Sequence, residues 1–290
     1  MKILSILFLL VFLIPHTVHA AEDLTMPFSA SMIPEIKAED LKKAESYILA
    51  KAEPEAKYSN IKDHAELLYT LLNTYKITDN KEGLTGILDT VKNLQVDAVK
   101  FDGTEDKLAA GLALARLYTA VYRINSNDGL KEKSLLQLKE IEKVYFDNQK
   151  KAFFTNIDGQ KTITSTANAN AVITFLEAAE EFKDKHLEEI AKSSIQYLKN
   201  KLIKDGEAFH IFAPDKSKVY MDGQLSDNAI TGIALLKIYK TSKDEQYLET
   251  AKAVAGFIQK RLYDEKFGGF IQRNSNSPEN YPKGEELFIN

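Results

Sequence analysis

Two stretches decide the fold: DKHLEEIAKSSIQYLKNKL at residues 184–202 and DEQYLETAKAVAGFIQKRL at residues 244–262. Each opens on an aspartate and then sets apolar side chains three or four residues apart. In the first these are Leu187, Ala191, Ile195, Leu198 and Leu202; in the second, Tyr247, Ala251, Ala255, Ile258 and Leu262. That spacing turns one side of a helix toward a core. The second stretch follows the first by 60 residues, so the two are copies of one unit.

Working outward, each copy is preceded by another helical pattern, opening at Asn170-Ala171 and at Asn228-Ala229. Breaks separate the paired helices at Lys183-Asp184 and Ser242-Lys243-Asp244. A turn and an extended aromatic segment follow: Asp205-Gly206 to Phe209, and Asp264 to Phe270. An earlier copy runs through Tyr145-Phe146-Asp147 to Ala152-Phe153-Phe154, and a weaker one from His64 to Phe101-Asp102-Gly103. The unit is helix, short turn, helix, extended segment. One hairpin cannot bury its apolar stripe alone, so neighbours must stack. The period exceeds the roughly 34 residues of a tetratricopeptide unit. With longer connections between hairpins than within them, it predicts an all-α fold, an α/α toroid whose first helices line the inside. An open solenoid is the alternative.

Periodicity predicts helices near 80–95, 130–146, 167–182, 185–202, 227–240 and 244–262. Further stripes lie at Leu41-Ala44-Ile48-Leu49, at Ala65 to Tyr75 and at Leu108 to Tyr122. Short strand signals appear at 152–156, 208–213 and 269–272. About nine helices result, fewer than a complete ring of six hairpins holds, so the toroid is expected to be incomplete. The expected organisation is a signal peptide at 1–20, a polar lead at 21–35, the helical domain at 36–272 and an irregular tail at 273–290. The leader rests on Lys2, the apolar run Ile3 to Ile14, Pro15 and Val18-His19-Ala20. An apolar run of about 12 residues falls short of the roughly 20 that span a bilayer. Export to the periplasm or beyond is the expectation, with a mature chain that does not span the membrane; an uncleaved anchor is the alternative.

The formal charge is −4, with both signs mixed along the chain. No basic stripe points to nucleic acid. Cysteine is absent. Beyond the leader, His64, His186 and His210 are scattered without zinc-site spacing, and no Asp-rich calcium loop occurs, so no metal or cofactor is implied. Tryptophan, a frequent sugar platform, is absent as well, leaving 13 Tyr and 15 Phe. Tyr118, Tyr122, Tyr239 and Tyr247 stand at core-like spacing. The run Glu177 to Lys185 reads as solvated surface.

The residues Gly223-Gln224-Leu225-Ser226-Asp227-Asn228-Ala229, Leu235 to Tyr239, Asp244, Tyr247-Leu248, Ala251 and Tyr263 to Phe270 carry a resemblance. They resemble the toroid half of a family that joins a thioredoxin-like domain to a six-hairpin domain. More distantly they are similar to the six-hairpin group of acylglucosamine epimerases and unsaturated glucuronyl hydrolases. The resemblance is best over 165–272. It implies a toroid acting on or binding a sugar or uronide, with glycoside hydrolase-like chemistry if the protein is an enzyme. No thioredoxin domain or Cys-x-x-Cys motif accompanies it.

Antiparallel alternation places the connectors 147–166 and 203–226 on one rim, where polar groups could meet a ligand. His210, Asp222 and Asp227 are the catalytic candidates. Asn168, Asn170, Asn228 and Phe270 are the ligand-binding candidates, with Asn156 and Asp158 in the same connector. Each has a plainer role: Ser226 or Asp227 as a helix cap, Asp222-Gly223 as a turn, His210 as a structural histidine. Glycoside hydrolysis wants two carboxylates about 5–10 Å apart, which Asp222 and Asp227 could supply. Epimerisation wants a base on each face of the sugar, and a single rim histidine disfavours it. The rival to a carbohydrate ligand is a peptide or protein partner bound by a non-catalytic helical scaffold.

Overall fold

The aspartates that open the two copies are helix caps. Asp184 accepts hydrogen bonds from the amides of His186 (2.9 Å) and Leu187 (3.2 Å), and Asp244 accepts from Gln246 (3.0 Å). Immediately before them, Lys183 (φ 56°) and Lys243 (φ 57°) end the preceding helices in the left-handed conformation. Their amides close on the carbonyls of Ala179 and Tyr239. A left-handed stop followed at once by an Asp cap satisfies orphan backbone groups of both helices and reverses the chain in minimal length. The preceding hairpin turns at Ser126 (φ 52°), and Asn127 there makes no side-chain cap bond.

The computed structural model describes residues 61–78, 81–93, 99–157, 160–214, 218–220, 224–264, 269–272 and 287–288. It contains two compact units, Met1–Asp97 and Ala98–Asn290. In the first, α1 (Ile61–Thr78) and α2 (Lys81–Asn93) form a hairpin. The second holds three: α3 (Glu105–Asn125) with α4 (Asp128–Tyr145), α5 (Ser165–Phe182) with α6 (Lys185–Lys201), and α7 (Leu225–Ser242) with α8 (Glu245–Phe257). A single π turn, 258–262, continues α8. Eight helices stand among the described residues. The stripe at Leu41–Leu49, the leader and the lead lie outside them. No described helix is long and apolar enough to cross a membrane.

Helices α3, α5 and α7 pack side by side, and α4, α6 and α8 each back their own partner. Buried Ala167, Ala169, Ala171, Ala178 and Ala179 let α5 lie close to its neighbours. The second helices meet one another through long side chains: His186 with Glu142 (3.0 Å), Lys199 with Gln246 (2.8 Å) and Tyr247 with Gln196 (3.2 Å). Tight spacing on one row and looser spacing on the other curves the stack, with α3, α5 and α7 inside. This is an all-α, incomplete α/α toroid with short β excursions. Its core runs through Phe146, Phe153 and Phe175, whose ring centroids follow at 5.0 and 5.3 Å.

Each hairpin of the second unit is followed by a small antiparallel ladder. Strand β1 (Phe146–Asp147) pairs β2 (Ala152–Phe153), β5 (Ile203–Lys204) pairs β6 (Glu207–Ala208), and β9 (Tyr263–Asp264) pairs β10 (Gly269–Ile271). The β5–β6 turn is Asp205 (φ 53°) and Gly206 (φ 84°), the Asp-Gly pair a two-residue type I′ turn requires. A Cβ on Gly206 would also lie 2.6 Å from the Ala253 carbonyl. In the tail, where the sequence suggested irregular chain, β11 (Leu287–Phe288) pairs β10.

Strands β3 (Thr155–Ile157), β4 (Gln160–Thr164), β7 (Ile211–Ala213) and β8 (Lys218–Tyr220) form one antiparallel sheet in that order. Its central pairing, Ile163↔Phe212 and Thr164↔Ile211, joins the first long connector to the second. Both connectors therefore lie at one end, above the N-termini of the inner helices. Strand β4 carried no clear local signal, and one of its two partners, β7, comes from the following repeat.

Candidate functional site at the inner-helix rim

Two asparagines hold the connectors to the helices. Asn168 accepts from the Phe153 amide (2.9 Å) and from the Ser194 hydroxyl (3.2 Å), and it donates to the carbonyls of Phe153 (2.9 Å) and Thr164 (3.1 Å). Sixty residues on, Asn228 accepts from the Ala208 amide (2.8 Å) and donates to the carbonyls of Gln224 (2.7 Å) and Ala208 (3.3 Å). Both are buried. Each amide caps a strand end that has no further strand beside it, so its polar atoms serve the backbone.

The same joinery fixes the rim residues. The Ser165 amide donates to the His210 carbonyl (2.9 Å) and its hydroxyl to the Phe209 carbonyl (2.5 Å). One repeat later, the Leu225 amide donates to the Gln272 carbonyl (2.8 Å), and the Gln272 side chain donates to the Ser226 hydroxyl (3.0 Å). His210 and Gln272 are thus equivalent, each seated over the start of an inner helix.

From its seat above α5, the His210 side chain reaches α7. Its Nδ1–H donates to both carboxylate oxygens of Asp227, at 2.9 and 3.0 Å. Asp227 is 0% exposed and also accepts from the Thr166 hydroxyl. It is not the cap of α7: that position is Gln224, which makes no side-chain cap bond, and Asp227 stands third in the helix. A carboxylate in the first turn is favoured by the helix dipole. Glu105, first residue of α3, accepts from the Thr164 hydroxyl (3.0 Å). Burial tends to lower the His210 pKa. The hydrogen bond to Asp227, that carboxylate's charge and the Glu105 charge outweigh it, and the net shift is upward. Burial raises the Glu105 pKa; the Thr164 hydrogen bond and His210 pull against it, while Asp227 and Asp106 add to it.

On α5 every residue from 165 to 179 is buried except Thr166 and Asn170, which share one face a turn apart. Asn170 therefore lines the same side as the cluster. Phe270 is half-buried, its ring 5.2 Å from that of Tyr263. The Asn156 amide donates to the Gly103 carbonyl (2.8 Å). Asp222 and Asp158 lie outside the described residues.

Roughly 16 Å further down the inner helices, three turns on, lies a second charged layer. Glu177 of α5 takes Arg116 Nε (2.8 Å) and Nη2 (3.1 Å) from α3, and Lys237 Nζ (2.6 Å) from α7. The expectation that the run from Glu177 is solvated surface fails at its first residue. Burial would raise the Glu177 pKa, but Arg116 and Lys237 overcome it and hold the carboxyl far below its usual range.

Sequence reasoning missed Glu105, Thr166 and this triad. The repeat offered a signal: Glu105, Ser165 and Leu225 open successive inner helices at 60-residue steps, and Arg116, Glu177 and Lys237 follow at steps of 61 and 60. The earlier copy was legible only from Tyr145-Phe146-Asp147 onward, and Glu105 and Arg116, the first member of each set, lie ahead of that signal.

No family model matches the chain, and no curated protein matches it in sequence. Solved structures do match. A sugar epimerase from a ruminal bacterium superposes with a TM-score of 0.65 at 17% identity, over 80% of this chain and 72% of its own. Cellobiose 2-epimerase from Bacillus thermoamylovorans gives 0.66 at 15%, over 81% and 73%. An α-1,6-mannanase from a Salegentibacter species gives 0.61 at 17%, over 76% and 69%. The fold is that of the six-hairpin α/α toroids. At these identities the likeness carries the fold and no further.

Proposed function

We propose that the protein is an exported toroid that binds and processes a carbohydrate, a sugar or uronide, at the rim of its inner helices, with glycoside hydrolase-like chemistry. The observation that carries this reading is the His210–Asp227 pair, closed by Thr166 and faced by Glu105, where three inner helices begin. A histidine held through Nδ1 by a buried carboxylate presents Nε2 outward, an arrangement suited to proton transfer. Several solved proteins of this fold are named for action on carbohydrates. The finer kinship, with the toroid half of the thioredoxin-plus-toroid family, rests on the motif residues 223–270 alone.

A second reading, a non-catalytic scaffold for a peptide or protein partner, draws on the polar groups already spent on the fold: Asn168, Asn228 and the buried Asp227. A thermal-shift screen of the mature protein against uronides, amino sugars and oligosaccharides separates the two. The carbohydrate reading expects stabilisation that Asp227→Asn and His210→Ala weaken. Stabilisation untouched by either substitution removes these residues from the site. No response at millimolar saccharide, with co-purification of a protein partner, leaves the scaffold.

A further inference from the structure

Asp227 has the wrong exposure for a group that meets a substrate. Its side chain is 0% exposed and is engaged by Thr166 and His210. It can act on a bound molecule only through the imidazole in front of it. Two titratable groups of the cluster remain on the open side. His210 has a side chain 23% exposed, and its Nε2 makes no hydrogen bond among the described residues. Glu105 is half-buried, with Thr164 on one carboxylate oxygen. The two come from different hairpins, and each lies within electrostatic reach of the other and of Asp227.

We propose that Glu105 and His210 are the proton-transfer pair of this site, Glu105 as base and His210 as acid, with Asp227 a positioning residue behind His210. The proposal rests on the carbohydrate reading above. In hydrolysis, a water O–H proton passes to the Glu105 carboxylate as the water oxygen bonds to the anomeric carbon. The bond from that carbon to the glycosidic oxygen breaks, and the His210 Nε2 proton passes to the departing oxygen. One water is consumed, and a hemiacetal and an alcohol are formed. Glu105 is left protonated and His210 neutral; return of one proton between them through solvent restores the pair. With Glu105 taking the proton of a water and not bonding to the sugar itself, attack by water gives inversion at the anomeric carbon.

The electrostatics suit these roles. Asp227 and Glu105 hold the proton on His210, while burial, Asp227 and the neighbouring Asp106 make Glu105 a stronger base than an ordinary carboxylate. The reactive form of the pair is a Glu105 carboxylate with a His210 imidazolium. Activity is then bell-shaped, with Glu105 on the acid limb and His210 on the alkaline limb.

The test uses cellobiose, α-1,6-mannotriose and a diuronide as probes, with binding followed by calorimetry and cleavage by release of reducing ends. At least one probe should be bound and cleaved. Glu105→Gln, which keeps an acceptor for Thr164, should lower kcat by about 100-fold or more with KM nearly unchanged. Asp227→Asn should move the alkaline limb to lower pH. A probe bound but never cleaved, or cleaved at the wild-type rate by Glu105→Gln, overturns the pair and leaves the binding site standing. Failure of every probe to bind overturns the site reading itself. Without any saccharide, the His210 ring protons should titrate at lower pH in Glu105→Gln than in the wild type; an unchanged midpoint overturns the pairing.

Discussion

Two charged layers cross the same three inner helices, and they are built to opposite ends. In the lower layer, Arg116 and Lys237 close on Glu177 from both sides, and the carboxylate is nearly inaccessible. In the upper layer, the buried Asp227 holds an imidazole whose far nitrogen makes no hydrogen bond among the described residues, and Glu105, within electrostatic reach of it, sits on one threonine hydroxyl. The first arrangement spends its charges on one another. The second keeps two groups in reserve. A charged cluster on a concave face is therefore no sign of a site by itself; what distinguishes one is polar capacity left over after the fold has been served.

The contrast breaks most visibly at Glu177. Glu177→Ala should cost about 3–5 kcal/mol in urea unfolding, because Arg116 and Lys237 are left opposed in a partly dry gap. Glu177 also sets an acid limit. Its folded pKa is depressed, so its contribution is present above the ordinary glutamate value near 4.3 and is lost as pH falls below it. Glu177→Gln should remove that loss.

Next come the asparagines. Asn168→Ala and Asn228→Ala should each cost about 1–3 kcal/mol, since each strands buried backbone groups. Asn168 also accepts from Ser194, which puts its loss at the upper end. If either substitution lost saccharide binding without losing stability, the split between joinery and site would need redrawing.

A smaller effect separates the layers by pH. The folded pKa of His210 is raised, so its contribution is fully present below the unfolded value of about 6.5 and disappears as pH rises through the folded value. Denaturation midpoints should fall across that window in the wild type. They should fall less in Asp227→Asn, whereas Glu177→Gln should leave this slope intact. Least of all, Glu105→Gln should change stability by under about 0.5 kcal/mol at neutral pH, in the stabilising direction if at all. Burial already opposes the Glu105 charge, and the amide keeps an acceptor for Thr164.

Legibility differed in the same way. Lys183-Asp184 and Lys243-Asp244 could be read directly, because a left-handed stop and an Asp cap act within a few residues of chain. Asp227 could be picked out as a rim residue, but local logic preferred a cap. Its true partners, Thr166 and His210, are 61 and 17 residues away. Glu105 resembled any acidic first-turn residue until Thr164 and the charges of His210 and Asp227 stood around it. Strand β4 likewise depended on Ile211–Phe212, a partner from the following repeat.

The linear order of residues by itself determined the repeat, the hairpin turns and the row of helices that faces inward, since these follow from short-range periodicity and capping copied at a constant step. Only the tertiary structure decided which charges are sealed and which stay open. A carboxylate's burial and proton affinity are set by neighbours one full repeat away, and those neighbours meet only when the inner helices lie side by side.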